Sequence, residues 1–84
     1  MRGYTRKAIL DKVRRSLGNK DKIVGMLREF GIEPTRDVLK AYFIAVARTI
    51  TFDTVAYLEN RPASEEERRE IVRELFDEID KILA

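Results

Sequence analysis

Between Pro34 and Pro62 lies the segment that decides the fold, because from Val38 to Leu58 apolar residues recur so densely that no helix through them has a cleanly polar side. Thr35 stands where it can cap a helix beginning at Arg36, and Asn60, Arg61 and Pro62 stop it. The spacing predicts one long helix over residues 36–59. At 100° per residue its polar stripe holds Asp37, Lys40, Arg48, Thr51 and Glu59, yet Ile44 and Val55 fall in the middle of that stripe. A helix apolar on nearly every side has to be surrounded, so this one is expected at the centre. The β-branched run Thr49–Val55 is its weak point, where a kink or a second start capped by Asp53 is allowed.

Three further helices follow from the same periodicity. Ile9, Leu10, Val13 and Leu17 recur behind Thr5, a candidate N-cap, and predict a helix over 6–17 that Gly18 and Asn19 close. Ile23, Val24, Leu27 and Phe30 predict a second over 21–30, capped by Asn19 or Asp21 and ended in a Schellman turn at Gly31. Gly25 inside it costs about 1 kcal/mol relative to alanine, which marks an expected close approach by a neighbouring helix. Ser64 and Glu67 form a capping box ahead of Ile71, Val72, Leu75, Phe76, Ile79, Ile82 and Leu83, giving a helix over 65–83. Along it, Glu65 with Arg69 and Asp77 with Lys81 have the favourable four-residue order. The expected architecture is all-α, a single domain over 1–84 built as a compact four-helix bundle or orthogonal helical cluster.

The residue inventory removes most catalytic chemistry. The chain has no cysteine and no histidine, so Ser-His and Cys-His nucleophiles, thiolate metal sites and histidine metal sites have no raw material. Glu66, Glu70, Glu74, Asp77 and Glu78 alternate with Arg68, Arg69, Arg73 and Lys81, which reads as a solvated helix face rather than an acid and base pair. Gly3, Gly18, Gly25 and Gly31 are too scattered for a phosphate loop. No catalytic, metal or cofactor-binding residue is assigned, and no enzymatic activity, cofactor or small-molecule substrate is expected. The longest uncharged run, Ala41–Ala47, is far short of the roughly 20 residues a bilayer demands, and the basic start leads into a charged helix rather than a signal region. A cytoplasmic protein without membrane contact is expected. Charged residues make up 38% of the chain and glutamine is absent, a usage that resembles hyperthermophile proteins.

Charge is unevenly placed. Residues 1–48 carry twelve Lys or Arg against five Asp or Glu, and residues 49–84 carry five against ten, so the halves hold about +7 and −5. Three outcomes compete: self-association in which the basic first helix meets an acidic fourth helix of another copy, contact with a polyanion, or pairing of those helices within one chain. For a nucleic acid or an acidic partner the candidate contacts are Arg6, Lys7, Lys12, Arg14, Arg15, Lys20, Lys22, Arg36 and Lys40. The second helix, Gly31–Thr35 and the start of the third resemble a helix-turn-helix, although Ala41–Ala47 continues into sequence that belongs in a core.

Residues 20 to about 60, a short helix from Ile23 to Phe30, a loop and the long apolar helix, also resemble a histone fold. That resemblance implies two chains crossing their long helices, and hence a partner against Ile44 and Val55. The Arg-Thr-Val type of loop after the long helix is missing, and the last helix is longer than that family's. The aromatic residues are spaced for core or interface; only Tyr4, beside Arg2, Arg6 and Lys7, has the setting of a base-stacking residue. The expected function is a non-catalytic helical interaction module, a homo-oligomer joined through Ile44, Arg48 and Val55, with nucleic-acid binding by the basic half as the alternative.

Overall fold

α-Helices form wherever the apolar spacing predicts them, and the last two also start at their side-chain caps, Thr35 and Ser64. The computed structural model describes residues 1–84 as α1 (Gly3–Gly18), α2 (Lys20–Glu29), α3 (Arg36–Glu59) and α4 (Glu65–Leu83), with no strand. α3 is unbroken through its β-branched run, because Thr51 turns its hydroxyl onto the Ala47 carbonyl at 2.7 Å while Thr51, Thr54 and Val55 are all buried. Tertiary burial outweighs the local strand preference there. The Thr35 hydroxyl accepts from the Val38 N–H at 3.2 Å, and Asn60 closes the helix in the left-handed region at φ 54°. The Ser64–Glu67 capping box forms in both directions, at 3.1 and 2.9 Å.

Three local expectations are corrected. α1 begins at Gly3 rather than residue 6, and Thr5 is not its cap but a buried residue inside it. The cap position is Arg2, whose N–H donates to the Glu59 carboxylate at 2.8 Å, so the end of α3 anchors the start of α1. Gly25 marks no close approach: it is exposed, and a Cβ built on it would meet nothing within 4 Å. Asp77 and Lys81 make no ion pair, whereas Glu65 and Arg69 do, at 3.6 Å. The Schellman turn is present, with Ile32 N–H on the Leu27 carbonyl at 2.9 Å, Gly31 N–H on Arg28 at 3.0 Å, and Gly31 at φ 73°.

α1, α3 and α4 make the bundle. The Arg2–Glu59 contact joins the start of α1 to the end of α3, and Arg36 meets Asp80 at 3.0 Å, joining the start of α3 to the end of α4. α3 therefore runs antiparallel to both neighbours. α2 packs most sparsely and adds Ile23 and Leu27 to the core. Ile9, Val13, Phe43, Ile71, Leu75 and Ile79 are almost wholly removed from water, each worth about 1.5–3 kcal/mol of hydrophobic transfer. Only 18 of 84 residues reach full burial, and the body measures 37 × 24 × 20 Å, so the core is one layer of side chains deep. A helix laid across so thin a core keeps one side open. The expectation that α3 would be wrapped on all sides is corrected accordingly: α1 and α4 cover two of its flanks, and the third faces water.

Candidate functional site

The open side of α3 is not the side its polar residues mark. Lys40 and Arg48, from the polar stripe, turn toward α4: Lys40 reaches Asp80 at 3.4 Å, and Arg48 donates to both oxygens of Glu65 at 2.7 and 2.9 Å. Thr51 is buried on the same flank. Val55 is 0% exposed, which corrects its assignment to an oligomer interface, since the chain's own core already surrounds it. Carboxylates at the two ends of α4 have drawn α3's cations inward. The residues left facing water are Ala41, Ala45, Thr49, Phe52 and Ala56, with half-buried Val38, Tyr42 and Ile44 beside them. Asp53 is the only exposed charge on that face between Asp37 and Glu59, and half-buried Arg48 borders it.

Beside this ridge, Ile44, Ala45, Arg48, Thr49, Phe52 and Arg68 line an open groove of about 500 Å³ between α3 and α4. Phe52 is 41% exposed and the Arg68 guanidinium carbon lies 5.8 Å from its ring centroid. The Arg68 Nε–H is buried there with no acceptor, a donor that folding alone leaves unsatisfied. Glu65 gathers Arg48, Arg68 and Arg69, and the hydrogen bond from Arg48 is the main cause that holds its carboxyl below the usual carboxylate range. At the other end of the same seam, Phe76 is 40% exposed under the Lys40 ammonium, 4.3 Å from its centroid, with Asp80 alongside.

The basic residues fall into two groups. Arg6 pairs with Glu74, Arg14 with Glu78 at 3.2 Å, and Arg36 and Lys40 with Asp80, so the basic first helix meets the acidic fourth within one chain. Lys7 pairs with Asp11 at 3.1 Å, and Lys20 donates to the Ile82 carbonyl at 2.9 Å. Lys12, Arg15 and Lys22 have no carboxylate partner; Lys22 lines a second groove, of about 400 Å³, with Ser16, Asn19, Ile23, Met26, Tyr42 and Val46. Sequence reasoning gave Phe52 and Phe76 only as core or interface aromatics and missed Arg68. The signal available was the four-residue spacing of Lys40, Ile44, Arg48 and Phe52 on α3 and of Arg68, Val72, Phe76 and Asp80 on α4.

No helix of the chain is long and apolar enough to cross a membrane. Comparison with protein-family models, curated proteins and solved structures returns no match.

Proposed function

We propose that this chain is a non-catalytic helical interaction module of the cytoplasm that binds a second copy of itself through the open face of α3 and its seam with α4. One observation carries the reading: in a chain that is 38% charged, the accessible side of its longest helix presents Ala41, Ala45, Thr49 and Phe52 to water, with Asp53 its one exposed charge between Asp37 and Glu59. Burying exposed apolar side chains is the chief driving force for association, and a contiguous apolar face of this kind marks interaction sites on small proteins. Of the interface residues first singled out, Ile44 and Arg48 line the groove at this face. Light scattering coupled to size exclusion at low micromolar concentration tests the reading. A mass near twice the 9.8 kDa chain supports it, and a clean monomer refutes it.

A second reading, a nucleic-acid-binding protein, draws on Lys12, Arg15 and Lys22, the cations near the α1–α2 corner that no carboxylate neutralises. Duplex DNA binding that weakens steeply between about 50 and 200 mM salt, and that is lost when these three become glutamate, favours it. Absence of binding at low salt removes it.

A further inference from the structure

All three tyrosines of the chain lie along one flank of the bundle, where α1 meets α3. From the Arg2–Glu59 contact these helices advance in opposite directions, so Tyr4 stands level with Tyr57, two residues in, and Asn19 level with Tyr42, seventeen in. The groove of about 400 Å³ agrees with that register, since Asn19 and Tyr42 line it together with Ser16 and Val46. Tyr4, Ala8, Lys12, Arg15 and Asn19 share the side of α1 that borders this groove, while Arg6 and Arg14 mark the opposite side against α4. On α3, Tyr42, Val46, Thr49, Asp53 and Tyr57 recur at the same spacing, away from Lys40 and Arg48. The result is a strip about 22 Å long. Exposed Tyr4 and Tyr57 stand at one end, and half-buried Tyr42, held edge to face on Phe43 at 5.8 Å, stands at the other.

The polar groups along the strip are left free by the fold. Asn19 makes no side-chain cap bond to α2, and Ser16, Lys22 and Tyr42 have no hydrogen-bond partner in the chain either, around a floor of Ile23, Met26 and Val46. Its unpaired charges are Arg2, Lys12, Arg15 and Lys22 against the single carboxylate of Asp53, and Lys7 and Asp11 border it as a pair. Glu29 and Glu33 lie past its α2 end, and Asp21 and Arg28, seven residues apart, offset each other on the outer face of α2.

Resting on the nucleic-acid reading, we infer that this strip binds single-stranded nucleic acid, with one base in the groove beside Tyr42 and others stacked on Tyr4 and Tyr57. Cations that follow a backbone, interleaved with aromatic rings that take up unstacked bases, are how single strands are held without sequence preference. A duplex keeps its bases stacked inside and can use only the cations. The self-association face, built on Ala41, Ala45 and Phe52, is a different side of α3.

Titration with an oligothymidine of about fifteen nucleotides, a duplex of equal length and inorganic polyphosphate tests the inference. The chain has no tryptophan, so tyrosine emission reports the contact directly. The oligothymidine is expected to quench that emission and to bind about tenfold or more tighter than the duplex. With three or four phosphates engaged, its binding should weaken roughly 20-fold to 50-fold between about 50 and 200 mM salt. Tyr4→Ala combined with Tyr57→Ala, both at exposed positions, should weaken single-strand binding about tenfold or more and leave polyphosphate binding unchanged, and Asp53→Asn should strengthen both. A duplex or polyphosphate that binds as tightly as the oligothymidine, or a tyrosine double variant that binds it like the parent, overturns the inference and leaves simple polyanion contact. Absence of binding by every probe at low salt removes the nucleic-acid reading as well.

Discussion

Arg14 on α1 and Glu78 on α4 lie 3.2 Å apart, each a little under half exposed. With Arg6 and Glu74, they carry the charge imbalance between the two halves of the sequence across one intramolecular contact. Solvent-exposed pairs of this kind are worth about 0–1 kcal/mol. Arg14→Ala is accordingly expected to lower unfolding stability by less than about 1 kcal/mol, with the difference shrinking as salt rises. Phe43→Ala, which empties a fully buried site, is expected to cost about 3–5 kcal/mol. Urea unfolding of the two variants with and without added sodium chloride checks both; an Arg14→Ala loss approaching the Phe43→Ala loss would contradict the structure.

The two exposed glycines of the α2 region should respond in opposite directions. Gly25 has helical surroundings and open space where a Cβ would go, so Gly25→Ala is expected to stabilise by about 0.5–1 kcal/mol. Gly31 also has open space, but its φ of 73° is one that L side chains rarely adopt, so Gly31→Ala is expected to cost about 1–2 kcal/mol. Thermal midpoints of the pair, measured against the parent, should fall on opposite sides of it.

Acid sensitivity should centre on the α3–α4 corner. Arg61 grips both oxygens of Glu67 at 2.8 and 2.7 Å and reaches Glu59 at 2.9 Å. The Arg61 hydrogen bonds, with the Ser64 N–H, hold the Glu67 carboxyl far below its ordinary range; the Arg2 N–H, ahead of Arg61, lowers Glu59. Carboxyls depressed in the folded state stabilise it fully above the unfolded value of about 4.3 and lose that contribution as pH falls toward their folded values. Denaturant midpoints should therefore be level from pH 7 to about 5 and decline below it, and Glu67→Gln should flatten the decline. A midpoint unchanged down to about pH 2.5 would sink this account.

Heat resistance is expected from the same ion-pair corner together with the residue usage. Arg61 joins Glu59 and Glu67, and Glu65 joins Arg48, Arg68 and Arg69, so these pairs form networks whose desolvation cost falls with temperature. A thermal midpoint above about 70 °C is expected, beyond the usual range of mesophilic domains. Differential scanning calorimetry decides it.

Much of this fold was legible because its signals are local. Thr35, Asn60, Ser64 and Glu67 set the bounds of α3 and α4, which match the expected 36–59 and 65–83. The start of α1 was not legible, since Arg2 is held by Glu59, fifty-seven residues away. Gly25 misled because a helical glycine has no sequence mark that separates a packing contact from open solvent. The orientation of α3 misled for a related reason. The polar stripe, whose Arg48 and Val55 are expected against a partner chain, turns instead onto α4, where Lys40 and Arg48 find Asp80 and Glu65, and long cationic side chains can span an interface edge with their charge paired. Val55 went inward with them, and the alanines of the opposite side were left outside.

Sedimentation equilibrium of the parent chain beside Ala45→Glu, each with its far-ultraviolet circular dichroism, puts the open face of α3 to the most direct trial. Ala45 is exposed and lines the α3–α4 groove, so a glutamate there leaves the core untouched and places a charged side chain in the proposed contact. The expected result is a dimeric parent and a monomeric variant of equal helical content. A monomeric parent at tens of micromolar, or a variant that stays dimeric, would contradict the account.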